Sequence, residues 1–172
     1  MSVPHSDSLL ERAGEIQLLL SDVDGCWTDG GIQISPDSEV VRFHVHDGYG
    51  IKQLQHAGIE VVVISGRNVP AVEKRARSLG LQEIHLGSPD KAELAQALVQ
   101  ARGLQPHQVA ALGDDLPDLA LFKVAGLRIA PANAVSRIRE AADLVLERGG
   151  GHGAVRELAD FLLTARATPG DP

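Results

Sequence analysis

Residues 61–64, the run Val-Val-Val-Ile, constrain the fold of this chain more than any other stretch. A strand with one wet face alternates apolar and polar residues, whereas an unbroken β-branched run belongs to a strand covered on both faces. Other short apolar runs stand at 16–20, 83–86, 108–112, 126–129 and 144–146, and the first run extends to 60–64. Helical patterns lie between them, at 48–56, 69–79, 89–101, 115–123, 134–141 and 153–165. Strands that alternate with helices predict βαβ units with right-handed crossovers. The expected fold class is therefore α/β, a three-layer Rossmann-like parallel sheet.

One segment breaks the rhythm. Residues 30–34 and 40–45, joined by the turn-forming SPDSE, read as a β-hairpin spanning about 30–46. Ile32, Ile34, Val41, Phe43 and Val45 alternate along it, so one face wants cover, either as a lid or as a subunit contact. The remaining connections are a few residues long and leave no space for a second inserted domain. A single domain over 1–172 is expected, with a flexible tail at about 167–172 and frayed residues at 1–9.

Composition excludes several classes of function. The chain has 172 residues, 16 basic against 23 acidic, and a formal net charge of -7. That balance argues against a nucleic-acid backbone as partner, and 3 % aromatic residues supply no platform for stacked bases. Charges or glycines interrupt every apolar stretch, so no membrane span is expected. The N-terminal MSVPHSDSLLERAGEIQ lacks the basic flank and apolar core of a secretory leader. With a lone cysteine, Cys26, these features predict a cytoplasmic location.

The polar residues fall where a parallel sheet binds ligands, beyond the carboxyl ends of its strands. Asp22 and Asp24 follow LLLS within SDVDGCWTDGG, Ser65 follows VVVI within ISGRN, and Asp114, Asp115 and Asp118 follow VAALG within GDDLPD. Three strands thus deliver carboxylates or a hydroxyl to one sheet edge. Clustered carboxylates repel one another unless a cation holds them, and a few carboxylates completed by water and substrate oxygens suit Mg²⁺. An aspartate held this way can attack a phosphate monoester. A second carboxylate two residues on can protonate the leaving oxygen and then activate water. A lysine and a hydroxyl are needed to bind the phosphoryl oxygens, and Lys91 in GSPDK is the evident lysine.

DVDGCWTDG, ISGR, Lys91 and GDDLPD resemble the four ordered motifs of the haloacid dehalogenase superfamily. FHVHDGYGIKQL, SGRNVPAVEKRA and GGGHGAVREL narrow the resemblance to the 3-deoxy-D-manno-octulosonate 8-phosphate phosphatase family, from about residue 16 to about residue 163. That resemblance implies a sheet with no cap domain and a homotetramer in which the hairpin helps to enclose the site. It implies Asp22 as nucleophile and Mg²⁺ ligand, and Asp24 as general acid/base with its carbonyl on the metal. On the same resemblance Asp114 would be the remaining metal ligand, with Asp115 and Asp118 supporting it, Asp115 by orienting a metal-bound water or Lys91. The resemblance likewise implies that Asp24, Gly25, Ser65, Gly66 and Lys91 would face the phosphate, and Arg67, Arg75, Asp47 and Gly48 the sugar acid.

The chain departs from the family where relatives carry arginine and it has His46 and His152, and in Trp27, where leucine is usual. Both histidines replace a permanent cation with one that titrates near neutrality. The implied activity is Mg²⁺-dependent hydrolysis of an eight-carbon ulosonate 8-phosphate, in the synthesis of a lipopolysaccharide precursor. A nine-carbon ulosonate 9-phosphate is the alternative substrate. A catalytically silent regulatory module and a signalling receiver domain are the other classes. The receiver fits poorly, because its phosphoacceptor aspartate ends the third strand, where this chain has LGSPD.

Overall fold

The computed structural model describes residues 7–36 and 38–167. Helix α1 (Asp7–Gly14) leads into β1 (Leu18–Ser21), and the hairpin strands β2 (Gln33–Ser35) and β3 (Ser38–Val40) follow. The chain continues through α2 (Val45–His56), β4 (Glu60–Ser65), α3 (Pro70–Ser78), β5 (Ile84–Leu86), α4 (Lys91–Ala101) and β6 (Val109–Leu112). It closes with α5 (Leu119–Phe122), β7 (Leu127–Ala130), α6 (Ser136–Ala141), β8 (Leu144–Val145) and α7 (Ala154–Arg166).

Six strands form a sheet in the order β5-β4-β1-β6-β7-β8, every pair parallel. The chain builds outward from β1 to β5, then returns to lay β6 on the opposite side of β1. This reversal opens a crevice at the carboxyl ends of β1 and β6, where a doubly wound sheet binds its ligand. The apolar runs divide between the two faces by the strand period of two. Leu19, Val61 and Val63 join the core under α1, α2, α3 and α7, while Leu18, Leu20, Val62 and Ile64 meet α4, α5 and α6. This double cover explains the unbroken run at 61–64.

The structure corrects three local expectations. The hairpin is shorter than expected: β3 ends at Val40, and α2 begins at Val45 rather than Gly48. Val41 and Phe43 turn onto the core instead of continuing the ladder, and the His44 ring accepts from the His46 amide to cap α2. Residues 7–9 lie in α1, where Leu9 and Leu10 pack on the core, whereas 1–6 and the tail 168–172 lie outside the described residues. The helix expected at 115–123 is a 3-10 turn, Leu116–Asp118, followed by a single turn of α5. Asp118 is the cause. Its Oδ2 accepts from the amides of Asp114 and Asp115 at 3.0 and 3.2 Å, coiling the loop back on itself. No helix among the described residues is long and apolar enough to cross a membrane.

Candidate active site

β1 and β6 pair in register up to Ser21 and Leu112, and the Asp22 amide donates to the Leu112 carbonyl at 3.0 Å. The chain then coils. The Val23 carbonyl accepts from the amides of Cys26, Trp27 and Thr28, and Thr28 Oγ1 accepts from Gly25 and Gly30. Gly25 has φ +79, and a Cβ there would lie 2.0 Å from Asp114 Oδ2. Only glycine allows the loop to close this tightly on the β6 aspartate. Trp27 points inward, 2 % exposed, with its indole donating to Ser21 Oγ at 2.8 Å. Its ring therefore braces the loop from behind instead of lining the mouth.

Lys91 is the first residue of α4, the end of a helix that disfavours a cation. Acids hold it there: Nζ donates to Asp22 Oδ1 at 2.6 Å and to Asp118 Oδ1 at 2.7 Å. The Asp90 side chain caps the helix, accepting from Ala92 and Glu93. Ser65, 2 % exposed at the end of β4, accepts from the Arg67 amide at 3.1 Å. Arg67 Nη1 in turn donates to Asp24 Oδ1 at 2.9 Å. Asp22, Asp24, Gly25, Ser65, Gly66, Arg67, Lys91, Asp114, Asp115 and Asp118 share one cavity of about 320 Å³ with Gly30 and Pro117. A larger cavity of about 510 Å³, between β8 and α7 and lined by Leu10, Leu146 and Phe161, holds none of them.

The cluster carries excess negative charge. Burial, then the Asp118 charge, pushes the Asp22 carboxyl up to about 8 against the pull of Lys91. Burial and the charges of Asp118 and Asp115 push Asp114 up to about 6. Burial works against the Lys91 ammonium, yet Asp22 and Asp118 hold it above its ordinary value. Lys91 therefore stays charged, and Asp22 is the group that takes up a proton unless a cation compensates it. Three buried or half-buried carboxylates, Asp22, Asp114 and Asp118, face this one ammonium, an excess of two negative charges that a divalent cation matches. Asp22 and Asp114 bring ligand oxygens within 4.8 Å of each other and of Cys26 Sγ. The donor set thus fits Mg²⁺ on the carboxylates, the hard partners for that ion.

The remaining residues expected at the site lie elsewhere. Asp47 is 3 % exposed, and its Oδ1 accepts from the Arg156 amide at 2.8 Å, capping the first turn of α7. Gly48 packs on α3, where a Cβ would meet Arg75 Nη2 at 2.2 Å, so Gly48 and Arg75 occupy each other. None of the three lines the carboxylate cavity of this chain. His46 and His152 are exposed, and neither lines that cavity. Asp115 Oδ1 accepts from the Leu116 amide, leaving contact with Lys91 to Asp118.

Two residues escaped the sequence reading. Asn133 donates to the Gly25 carbonyl at 2.9 Å and accepts from the Gly150 amide at 2.6 Å, tying the 149–151 glycines to the Asp22 loop. Glu39 on β3 pairs with Arg67 Nη2. A lone asparagine after a strand and one hairpin glutamate carry no periodic signal that could have marked them.

Residues 82–158 match the family model described as haloacid dehalogenase-like hydrolase. Over 164 residues the chain is 39 % identical to the Yersinia pestis 3-deoxy-D-manno-octulosonate 8-phosphate phosphatase KdsC, covering 95 % of this chain and 88 % of that one. The chain belongs to the KdsC phosphatase family. A second KdsC relative, from Haemophilus influenzae, is 38 % identical over 91 % of this chain and 87 % of its own length. Among solved KdsC structures, the Yersinia pestis phosphatase superposes with a TM-score of 0.91 at 39 % identity, covering 95 % of this chain and 89 % of that one. The Moraxella catarrhalis phosphatase, solved with a magnesium ion, a phosphate ion and a KDO molecule, gives 0.90 at 35 % identity, covering 94 % of each chain. KdsC similarity therefore covers nearly the whole chain, in sequence and in backbone.

Proposed function

We propose that this chain is a magnesium-dependent phosphatase that releases phosphate from 3-deoxy-D-manno-octulosonate 8-phosphate. The observation that carries the reading is Lys91 bridging Asp22 and Asp118 within hydrogen-bond distance, beside Asp114, at the switch point of the sheet. The KdsC relatives supply the substrate.

The chain's own groups account for the steps. A carboxylate oxygen of Asp22 attacks phosphorus, forming an O–P bond as the bond to the sugar oxygen breaks. Asp24 gives its proton to that departing oxygen, then takes one from the water that attacks the aspartyl-phosphate and frees Asp22. Lys91, the Ser65 hydroxyl and the Gly66 amide hold the equatorial phosphoryl oxygens, which gather negative charge in the transition state. Arg67 presents a planar fork suited to the carboxylate of a sugar acid. Asp22, Asp114 and the Asp24 carbonyl would hold Mg²⁺, which would supply the positive charge that lets these carboxylates and a phosphate share one cavity.

The hairpin and the start of α2 support a homotetramer: Ile34 is 76 % exposed and Ile32, Val40 and, on α2, Val45 at least half exposed, an apolar group suited to a second copy. A cytoplasmic location accords with the single buried, unpaired cysteine. Phosphate release from a panel of sugar and sugar-acid phosphates, with Mg²⁺ and with EDTA, tests the reading. Release from the eight-carbon acid that EDTA abolishes supports it. Preference for a nine-carbon acid moves the substrate, and no release with Mg²⁺ overturns the activity.

A further inference from the structure

Arg67 already pairs with two carboxylates of its own chain. Its Nη1 donates to Asp24 Oδ1 at 2.9 Å, and its Nη2 donates to Glu39 Oε1. Two carboxylates of the same chain therefore fill the fork that the functional reading gives to the sugar acid. A substrate carboxylate that takes both terminal nitrogens must displace one of them.

The two occupants are held differently. Asp24 sits in a loop whose neighbouring Val23 carbonyl accepts three amides, so its backbone is fixed. Glu39 sits on β3, in a two-stranded sheet that shares no ladder with the six-stranded one. Its side chain is one-third exposed. A second ion pair, Arg42 with Asp29 at 2.6 Å, ties the base of the hairpin to the end of the Asp22 loop. The Glu39 side chain can therefore leave Arg67 without moving the hairpin or breaking a backbone hydrogen bond.

We propose that Glu39 is a specificity-determining residue that occupies, on Arg67, the place of the substrate carboxylate, and that a phosphorylated acid binds by exchanging with it. This rests on the phosphatase reading above. An acid replaces one carboxylate by another, so the guanidinium keeps its charge partner throughout. A phosphate ester without a carboxylate offers no replacement, and Glu39 stays paired with Arg67. Glu39 thus competes with phosphorylated acids and not with esters that lack a carboxylate.

The test compares wild type, Glu39→Gln, Arg67→Met and the double variant. The substrates are 3-deoxy-D-manno-octulosonate 8-phosphate and p-nitrophenyl phosphate, an ester whose organic part carries no carboxylate, both with Mg²⁺. Glu39→Gln should lower KM for the acid about two- to fivefold, the range of a partly exposed ion pair, with kcat unchanged. Its KM for p-nitrophenyl phosphate should stay the same. In the Arg67→Met background the same substitution should no longer move the acid's KM. An unchanged or raised KM in Glu39→Gln overturns the inference, as does an equal effect without Arg67. Thermal melts of each variant keep misfolding from passing as either result, and Glu39→Asp serves as a second variant that retains the charge. Wild type without turnover of the acid overturns the phosphatase reading and this inference together; wild-type turnover with an unmoved Glu39→Gln overturns this inference alone.

Discussion

Gly150→Ala should disable the enzyme from a residue that contributes no functional group. Gly150 is not among the glycines with positive φ, so alanine meets no backbone strain of its own. The obstacle is space: a Cβ would lie 1.9 Å from the Gly25 carbonyl oxygen and 2.6 Å from that of Thr28. Real Cβ atoms essentially never approach closer than 3.0 Å, so the two loops must part by about 1 Å, and both obstacles are backbone. Gly25 cannot yield easily, with Asp114 Oδ2 against its Cα and Asn133 on its carbonyl. Overpacking of this kind costs about 1–3 kcal/mol, which at this chain length lowers Tm by about 2–12 °C. A 1 Å displacement of Asp22 and Asp24 costs about 10²-fold in kcat. Gly149→Ala is the control, since its Cβ would meet only the Asn133 side chain, at 3.1 Å. Steady-state phosphate release and thermal denaturation of both variants provide the measurements. A Gly150→Ala enzyme with kcat within threefold of wild type, or a Gly149→Ala enzyme equally impaired, refutes the argument from close approach.

Other predictions concern the charge cluster. Without metal, Asp22 and Asp114 hold protons in the folded chain that the unfolded chain releases near 3.8, so stability should fall as pH rises from about 4 to about 8. Mg²⁺ should flatten that fall, and a Tm in EDTA that is level or rising over the window contradicts the charge balance. Lys91→Met should reduce kcat/KM about 10²–10³-fold by removing the only ammonium on the phosphoryl site, and a loss below tenfold would take Lys91 out of transition-state binding. Asp22→Asn should abolish turnover while the melt holds or rises, because a buried carboxylate is removed; substantial phosphate release would place the nucleophile elsewhere. Asp24→Asn should still bind Mg²⁺ by calorimetry yet lose turnover, and normal rates would remove Asp24 from proton transfer.

Much of this protein is written in local pattern. The double-faced run at 61–64 required a parallel sheet, because side chains two apart share a face and both faces were apolar. Asp22, Asp24 and Asp114 come within three residues of a strand end and Ser65 closes β4, and strands of a parallel sheet end on one edge, so their convergence needed no long-range information, whereas Asp118 reaches the site through the turn it coils. Tertiary packing decided the rest. Arg67 and Arg75 lie on the same polar stretch of sequence, yet the first turns to Asp24, 43 residues away, and the second lies against Gly48. Asp47 stands in a motif that suggested substrate and instead caps α7, because the α2–α7 contact buries it. Asn133 meets Gly25 across 108 residues of chain. The glycines at 149–151 read equally as flexibility or close approach until the neighbouring loop was in view. Periodicity specifies which face a residue takes, but loop-to-loop contact depends on the packing of elements far apart in the chain, and no local period encodes it.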